Sequence, residues 1–233
     1  LRGIRFLVLM FNSRVTNFWE KGLSMRSQIF IWFVLLSMIF GFSHTASAQK
    51  VSVEEFTLPN GMQFLLVPRA DQPNVVSAGW VARVGSVNER PGITGISHFF
   101  EHMMFQGSKN VADEEHFKII SESGGTNNAY TSFDKTVYHQ TAPSNMTETL
   151  LWLEADRMGT HLEGFTQKKF ENQRNAVKNE KRQRYDNQPY GMVNELLFKS
   201  LFANHPYEWT PIGFVDDLDL ASFEDLRNFF LRW

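Results

Sequence analysis

The sequence predicts an α+β fold, a mostly antiparallel sheet packed against helices, from three observations. Runs of strand-like and helix-like residues arrive in blocks, strands then helices then strands then helices, which is the order of an α+β domain. An Asn-Gly pair, Asn60-Gly61, sits between two apolar runs and marks a tight hairpin of antiparallel strands. The later helical candidates carry apolar residues on one face, as helices laid on a sheet require.

The first strands are "VSVEEFTL" and "MQFLLVP", which flank Pro59-Asn60-Gly61, and "NVVSAGWVARVG" follows as a third. A turn, "ERPGITG", leads into a stretch with no proline from Ile93 to Ser108, which can be helical. A second helix is predicted over "DEEHFKIISES", with Gly124-Gly125 as its stop signal. "NNAYTSF" and "KTVYHQTA" are short and rich in Thr, Val and Tyr, hence strands. Three more helices are placed at Asn145–His161, at Thr166 to about Tyr185 and at Tyr190–Phe202, and the closing "SFEDLRNFFLRW" is a further one.

The first 48 residues read differently. From Met25, Arg26 precedes an apolar stretch of fourteen residues, Ile29 to Phe42, and then Ala46-Ser47-Ala48. This is the layout of a secretory signal peptide, with cleavage expected between Ala48 and Gln49, and the stretch is short of the ~20 residues a membrane span needs. Residues 1–24 are expected to be a non-native upstream segment, residues 25–48 the signal peptide, and residues 49–233 one domain with no stable membrane anchor after cleavage. The implied location is periplasmic or secreted, in a bacterium of Gram-negative type.

Removing residues 1–48 takes away five of 23 basic and one of 25 acidic residues, leaving 18 and 24 and a net charge of −6. So acidic a chain offers no electrostatic footprint for nucleic acid. Its one basic cluster, "KNEKRQR" from Lys178 to Arg184, is interrupted by Glu180 and reads as a solvated helix face. The absence of cysteine excludes disulfides, thiolate metal sites and a cysteine nucleophile.

The chemistry concentrates in "GISHFFEHMMFQG", Gly95 to Gly107. On a helix, His98 and His102 at i and i+4 project from one face, one turn apart, and Glu101 lies on the same side. Zinc suits such a set, because catalytic zinc takes neutral imidazoles among three protein ligands and keeps a position for water, while a carboxylate outside the ligand set can take that water's proton. The plain alternative is two partly buried histidines packed on an apolar helix, but each would then need hydrogen-bond partners that a metal supplies directly. One more ligand is required. Glu180 is a candidate, sharing a helix face with Gln173, Ala176 and Val177, although the residues alone read equally as a surface glutamate paired with Lys181 or Arg184. "TNNAYTS" reads, on its own, as an ordinary hairpin strand.

H-x-x-E-H is the inverzincin signature. Together "GITGISHFFEHMMFQGSKN", "GGTNNAYTSFDKTVYH" and "NQRNAVKNEKRQRYDNQPYG" resemble, in order, the signature segments of the M16 peptidases, the insulinase, pitrilysin and mitochondrial processing peptidase group, in its bacterial periplasmic or secreted form. The resemblance runs from about Val51 to the chain end. It implies one Zn2+ held by His98, His102 and Glu180, which lies 78 residues beyond His102, with Glu101 as the catalytic base. It implies that the backbone around Asn128 and Ala129 pairs with extended peptide substrates. Some relatives carry a second glutamate where this chain has Gln173, so a supporting acid role there is lost. S-ribosylhomocysteine lyases share H-x-x-E-H but need a cysteine ligand, which this chain lacks.

The implied activity is that of a zinc metalloendopeptidase acting on peptides or unfolded segments. The alternative is a non-catalytic, peptide-binding scaffold subunit beside an active partner. Such subunits usually lack one or more of the four residues, and all four are present here. The resemblance also implies a clamshell of two homologous halves, of which this chain is expected to be the first, truncated at its C-terminus and weakly active or inactive without the second half or a partner subunit.

Overall fold

The computed structural model describes residues 29–34 and 51–233. Residues 29–34 are helical, and the rest of the expected signal peptide, its cleavage site included, lies outside the described residues. Among the described residues no helix is long and apolar enough to cross a membrane. The chain divides into two compact units at Pro68 and Arg69.

In the first unit, β1 (Glu54–Thr57) pairs antiparallel with β2 (Gln63–Leu66), with Phe56 opposite Phe64. Their rings stack with centroids 5.0 Å apart, the kind of cross-strand pair that stabilises a hairpin. The turn is built as the Asn-Gly pair predicts: Gly61 takes a left-handed φ of 88°, and the Asn60 side chain accepts from the Met62 amide at 3.1 Å.

The second unit contains a three-stranded antiparallel sheet in the order β3 (Val75–Ala82), β5 (Thr136–Pro143), β4 (Thr126–Thr131). The register runs from Val75 opposite Pro143 to Ala82 opposite Thr136, and from Thr126 opposite Thr141 to Thr131 opposite Thr136. Central β5 buries Thr136, Tyr138, Gln140 and Ala142 on one face by strand alternation. β4 is an edge strand.

Seven helices complete the unit: α1 (Ile96–Met103), α2 (Glu115–Glu122), α3 (Thr147–Thr160), α4 (Gln167–Lys181, continuing in a π-helical turn Arg182–Asp186), α5 (Val193–Leu201), α6 (Val215–Leu220) and α7 (Phe223–Arg232). α1 is the buried one. Ile96, Phe99 and Met103 on α1 join Phe170 and Val177 of α4, Leu218 of α6 and Leu226 of α7 in one core, and each fully buried large side chain contributes about 1.5–3 kcal/mol. A second cluster gathers Ile120 of α2, Ala142 of β5, and Leu150 and Leu153 of α3.

The entry to α1 is tightly built. Gly95, its N-cap, has φ 84°, and a Cβ there would lie 2.5 Å from the Ile212 carbonyl oxygen, so only glycine fits. Glu89, itself buried, accepts from the Gly95 amide at 2.8 Å and the Ser97 amide at 2.9 Å, satisfying helix N-terminal donors that otherwise lack partners. α3 is fixed to the sheet by buried charge: Arg157 donates to Glu154 from Nε and Nη2, Glu154 also accepts from Trp80 Nε1 at 2.5 Å, and the guanidinium stands 4.6 Å over the Tyr138 ring.

Two sequence expectations require correction. The basic cluster on α4 is not a solvated face throughout: Lys181 is 4% exposed and donates to Glu195 Oε2 at 2.5 Å and to the Gly213 carbonyl at 2.8 Å, while Lys178 pairs with Asp219. Chain segments that return from far along the sequence cover these lysines, which local charge patterning does not foresee. α6 was not expected; its six residues are too few for a periodic signal, yet Leu218 is fully buried and Asp217 accepts from the Thr94 amide and hydroxyl.

Candidate metal centre

α1 presents His98 and His102 side by side, their rings edge to face with centroids 4.8 Å apart. α4 packs against α1 and brings Glu180 to the same point: Glu180 Oε2 lies 3.7 Å from His98 Nε2 and 3.2 Å from His102 Nε2. One ligand atom from each of the three residues can be chosen so that all lie within 4.8 Å of one another, the only such group of three among the described residues. The helix face foreseen for Glu180 is the inward one, with Val177 buried and Gln173 and Ala176 half-buried. The other reading of Glu180 is also present, since its Oε1 pairs with Arg184 at 3.1 Å. The two readings are compatible because one carboxylate has two oxygens.

Surrounding groups orient these side chains. His102 Nε2 bonds Glu180 and its Nδ1 faces Gln173 Oε1 at 3.4 Å; a proton kept on Nδ1 alone would turn the Nε2 lone pair to a cation in place of that bond. Glu101 stands apart from the trio; its carboxylate, 7% exposed as a residue, accepts the Thr131 hydroxyl at 2.5 Å. β4 thus touches the site through Thr131, and it carries Asn128 and Ala129 along the sheet edge, where Asn128 Oδ1 accepts from the Ala129 amide at 2.9 Å.

The electrostatics favour cation binding. Burial, helped by the neighbouring His102, pushes His98 down to about 4, so its imidazole is neutral at pH 7 and available as a ligand. The hydrogen bond from His102 holds the Glu180 carboxyl below its ordinary value, keeping it ionised. Burial opposes charge on His102, but its hydrogen bond to Glu180 and that carboxylate's charge outweigh burial and raise it. Burial raises Glu101, with the Thr131 hydrogen bond acting against it.

The donor set fits zinc. Ligand bonds of ~2.0–2.2 Å at tetrahedral angles place neighbouring donor atoms about 3.3 Å apart, and the separations of Glu180 Oε2 from the two imidazoles, 3.2 and 3.7 Å, lie on either side of that value. His98 Nδ1 is buried with no hydrogen-bond partner among the described residues, so Nε2 is the nitrogen it turns toward Glu180.

Thr131 and the capping role of Glu89 were not singled out by sequence reasoning. For Thr131 a signal existed, since strand alternation places it on the same face as Ala129, two residues before it.

An antiparallel sheet covered by a helix that holds two histidines against a glutamate from a second helix makes a candidate metal centre. The family described as "Insulinase (Peptidase family M16)" matches residues 65–212, and the chain belongs to that family. It is 37% identical over 196 residues to "Zinc protease PqqE" of Helicobacter pylori, covering 84% of this chain and 44% of that protein. The crystal structure of a protease from Helicobacter pylori superposes with a TM-score of 0.74 at 37% identity, over 77% of this chain and 42% of that one. The first half of the periplasmic protease PqqL from Escherichia coli shares the fold, with a TM-score of 0.69 at 24% identity over 78% of this chain and 40% of that one. The chain therefore spans less than half the length of the curated relatives it matches.

Proposed function

We propose that this chain carries the catalytic site of a zinc endopeptidase that cleaves peptides or unfolded segments. The observation that carries the reading is the convergence of His98 Nε2, His102 Nε2 and Glu180 Oε2 on one point, with a carboxylate, Glu101, beside them but outside the trio. The names of relatives such as the Helicobacter pylori zinc protease support it.

In this reading His98, His102 and Glu180 hold one zinc ion, which supplies Lewis acidity toward a water and toward the scissile carbonyl. Arg184 steadies Glu180 through Oε1 so that Oε2 faces the imidazoles. Glu101 takes a proton from the attacking water on its carboxylate and returns it to the leaving amine. The edge of β4 around Asn128 and Ala129 pairs with the extended substrate main chain, and the Asn128 side chain turns away from the Ala129 amide to admit it. Main-chain pairing selects extended segments over folded ones and tolerates many side chains. The presence of His98, His102, Glu180 and Glu101 together speaks against the scaffold alternative.

The test is elemental analysis of the purified protein after dialysis against metal-free buffer. One equivalent of zinc is expected in the wild type and less than about a tenth in His102→Ala; equal zinc in both overturns the site.

We further propose that residues 49–233 are the first half of a two-half clamshell, completed on the same polypeptide or by a partner subunit, and that residues 25–48 direct export to a periplasm-like compartment. The match to the first half of a larger protease supports the first reading, and the charged, apolar and small-residue layout from Met25 to Ala48 supports the second. The mass of the purified native protein is expected to place its N-terminus at Gln49, and an N-terminus at Met25 on cytosolic protein rules out export.

A further inference from the structure

β4 turns Asn127, Ala129 and Thr131 toward the helices and leaves Asn128 and Tyr130 more exposed on the other side. Two of the inward residues are tied down. Asn127 Nδ2 lies 3.1 Å from His116 Nδ1, and Thr131 Oγ1 donates to Glu101 Oε2 at 2.5 Å. Thr131 is itself held from behind by its register partner Thr136 on β5, whose hydroxyl, 3.4 Å away, gives its one proton to the Val84 carbonyl at 3.0 Å and so leaves the Thr131 proton to Glu101. The edge strand is thus fastened at both ends, with Asn128 and Ala129 between the fastenings.

A glutamate side chain has three rotatable bonds, and holding its carboxylate in one orientation costs conformational entropy unless a directional contact selects it. Glu101 is nearly buried, so few waters compete for that role. A short bond from a hydroxyl to a carboxylate is among the stronger neutral-to-charged hydrogen bonds.

We infer that Thr131 is a positioning residue for peptide hydrolysis: its hydroxyl fixes the carboxylate of Glu101 to the same strand that receives the substrate main chain, so that base and substrate keep one spacing. The inference rests on the assignment of Glu101 as base and of β4 as the substrate strand. Moving the hydroxyl leaves the metal ligands on α1 and α4 untouched, but lets the carboxylate sample orientations in which its oxygen is off line from the attacking water. The contribution belongs to the chemical step, where a misplacement of about 1 Å can cost on the order of 10²-fold.

The experiment uses the full-length protein, a fluorogenic unstructured peptide, and four variants: Thr131→Val, Thr131→Ser, Glu101→Gln and the double variant Thr131→Val with Glu101→Gln. Valine keeps the shape and removes the donor, whereas serine keeps the donor. For Thr131→Val, kcat is expected to fall roughly 10- to 100-fold, the worth of one hydrogen bond to a charged group, with KM within about twofold and zinc content and thermal midpoint unchanged. Thr131→Ser restores kcat to within a few-fold of wild type, and the valine change adds no further loss to Glu101→Gln. Wild-type kcat in Thr131→Val, an effect confined to KM, loss of zinc, failure of serine to rescue, or an equal further loss on top of Glu101→Gln each overturns the inference. A fully active Glu101→Gln overturns the base assignment itself, whereas an inactive Glu101→Gln beside a fully active Thr131→Val removes only the role of Thr131.

Discussion

Replacing Glu101 by glutamine is expected to leave zinc content unchanged and to lower peptide hydrolysis by roughly 10²–10⁴-fold, the range of general acid–base catalysis. The split follows from geometry. Glu101 shares α1 with both histidines, yet its carboxylate is engaged by Thr131 of β4 and is not one of the three groups whose ligand atoms converge. Glutamine has nearly the same shape and keeps an oxygen that can accept the Thr131 hydroxyl, so the helix and the ligand trio should not move. What it lacks is basicity. Burial already holds the Glu101 carboxyl above its ordinary value, which makes the carboxylate a stronger proton acceptor than an exposed one. Zinc analysis and steady-state kinetics on one preparation check the prediction. Loss of zinc would make Glu101 a ligand or a structural residue, and retained activity would remove it as base.

Local patterns in the sequence carried those parts of the structure that are decided locally. Asn60-Gly61 set the first hairpin, and the i, i+4 spacing of His98 and His102 set their common face, because turn chemistry and helical period act within a few residues. Glu180 was half legible. Its helix face could be read, but whether it met a metal site or a basic neighbour depended on where α4 lands on α1, and the structure shows one oxygen turned each way. Lys181 was misread because its partner Glu195 and the Gly213 carbonyl come from later segments. Thr131 and Glu101 are 30 residues apart, and their bond depends on the register of β4 against β5 and on the seat of α1. No residue-by-residue pattern holds that information. The expectation that Glu180 is a ligand came from the family resemblance, by likeness, not by physics.

Replacing Glu89 by alanine is expected to destabilise the fold by about 2–5 kcal/mol, since two buried amides lose an acceptor and each unsatisfied buried group costs about 1–3 kcal/mol. The amides are those of Gly95 and Ser97; Trp209 Nε1 also donates to Glu89, at 3.0 Å, but keeps the Ser86 carbonyl at 3.2 Å. Both amides open α1, and Ser97 directly precedes His98, so the same change should loosen the first of the proposed zinc ligands. Burial raises the Glu89 carboxyl to about 7, against the hydrogen bonds from Ser97, Gly95 and Trp209. A carboxyl whose pKa is higher folded than unfolded binds its proton more tightly in the native state. Its contribution to stability is therefore full below the unfolded value of about 4.5 and declines as the pH rises through 7. The cost of Glu89→Ala, measured by urea denaturation of the apoprotein, should consequently be larger at pH 5 than at pH 8. A cost that grows with pH would mean that the three donors and the positive end of α1 outweigh burial and keep Glu89 ionised. A cost under about 1 kcal/mol at both pH values would show that water or a neighbouring acceptor replaces the carboxylate, and that the entry to the metal-bearing helix does not depend on it.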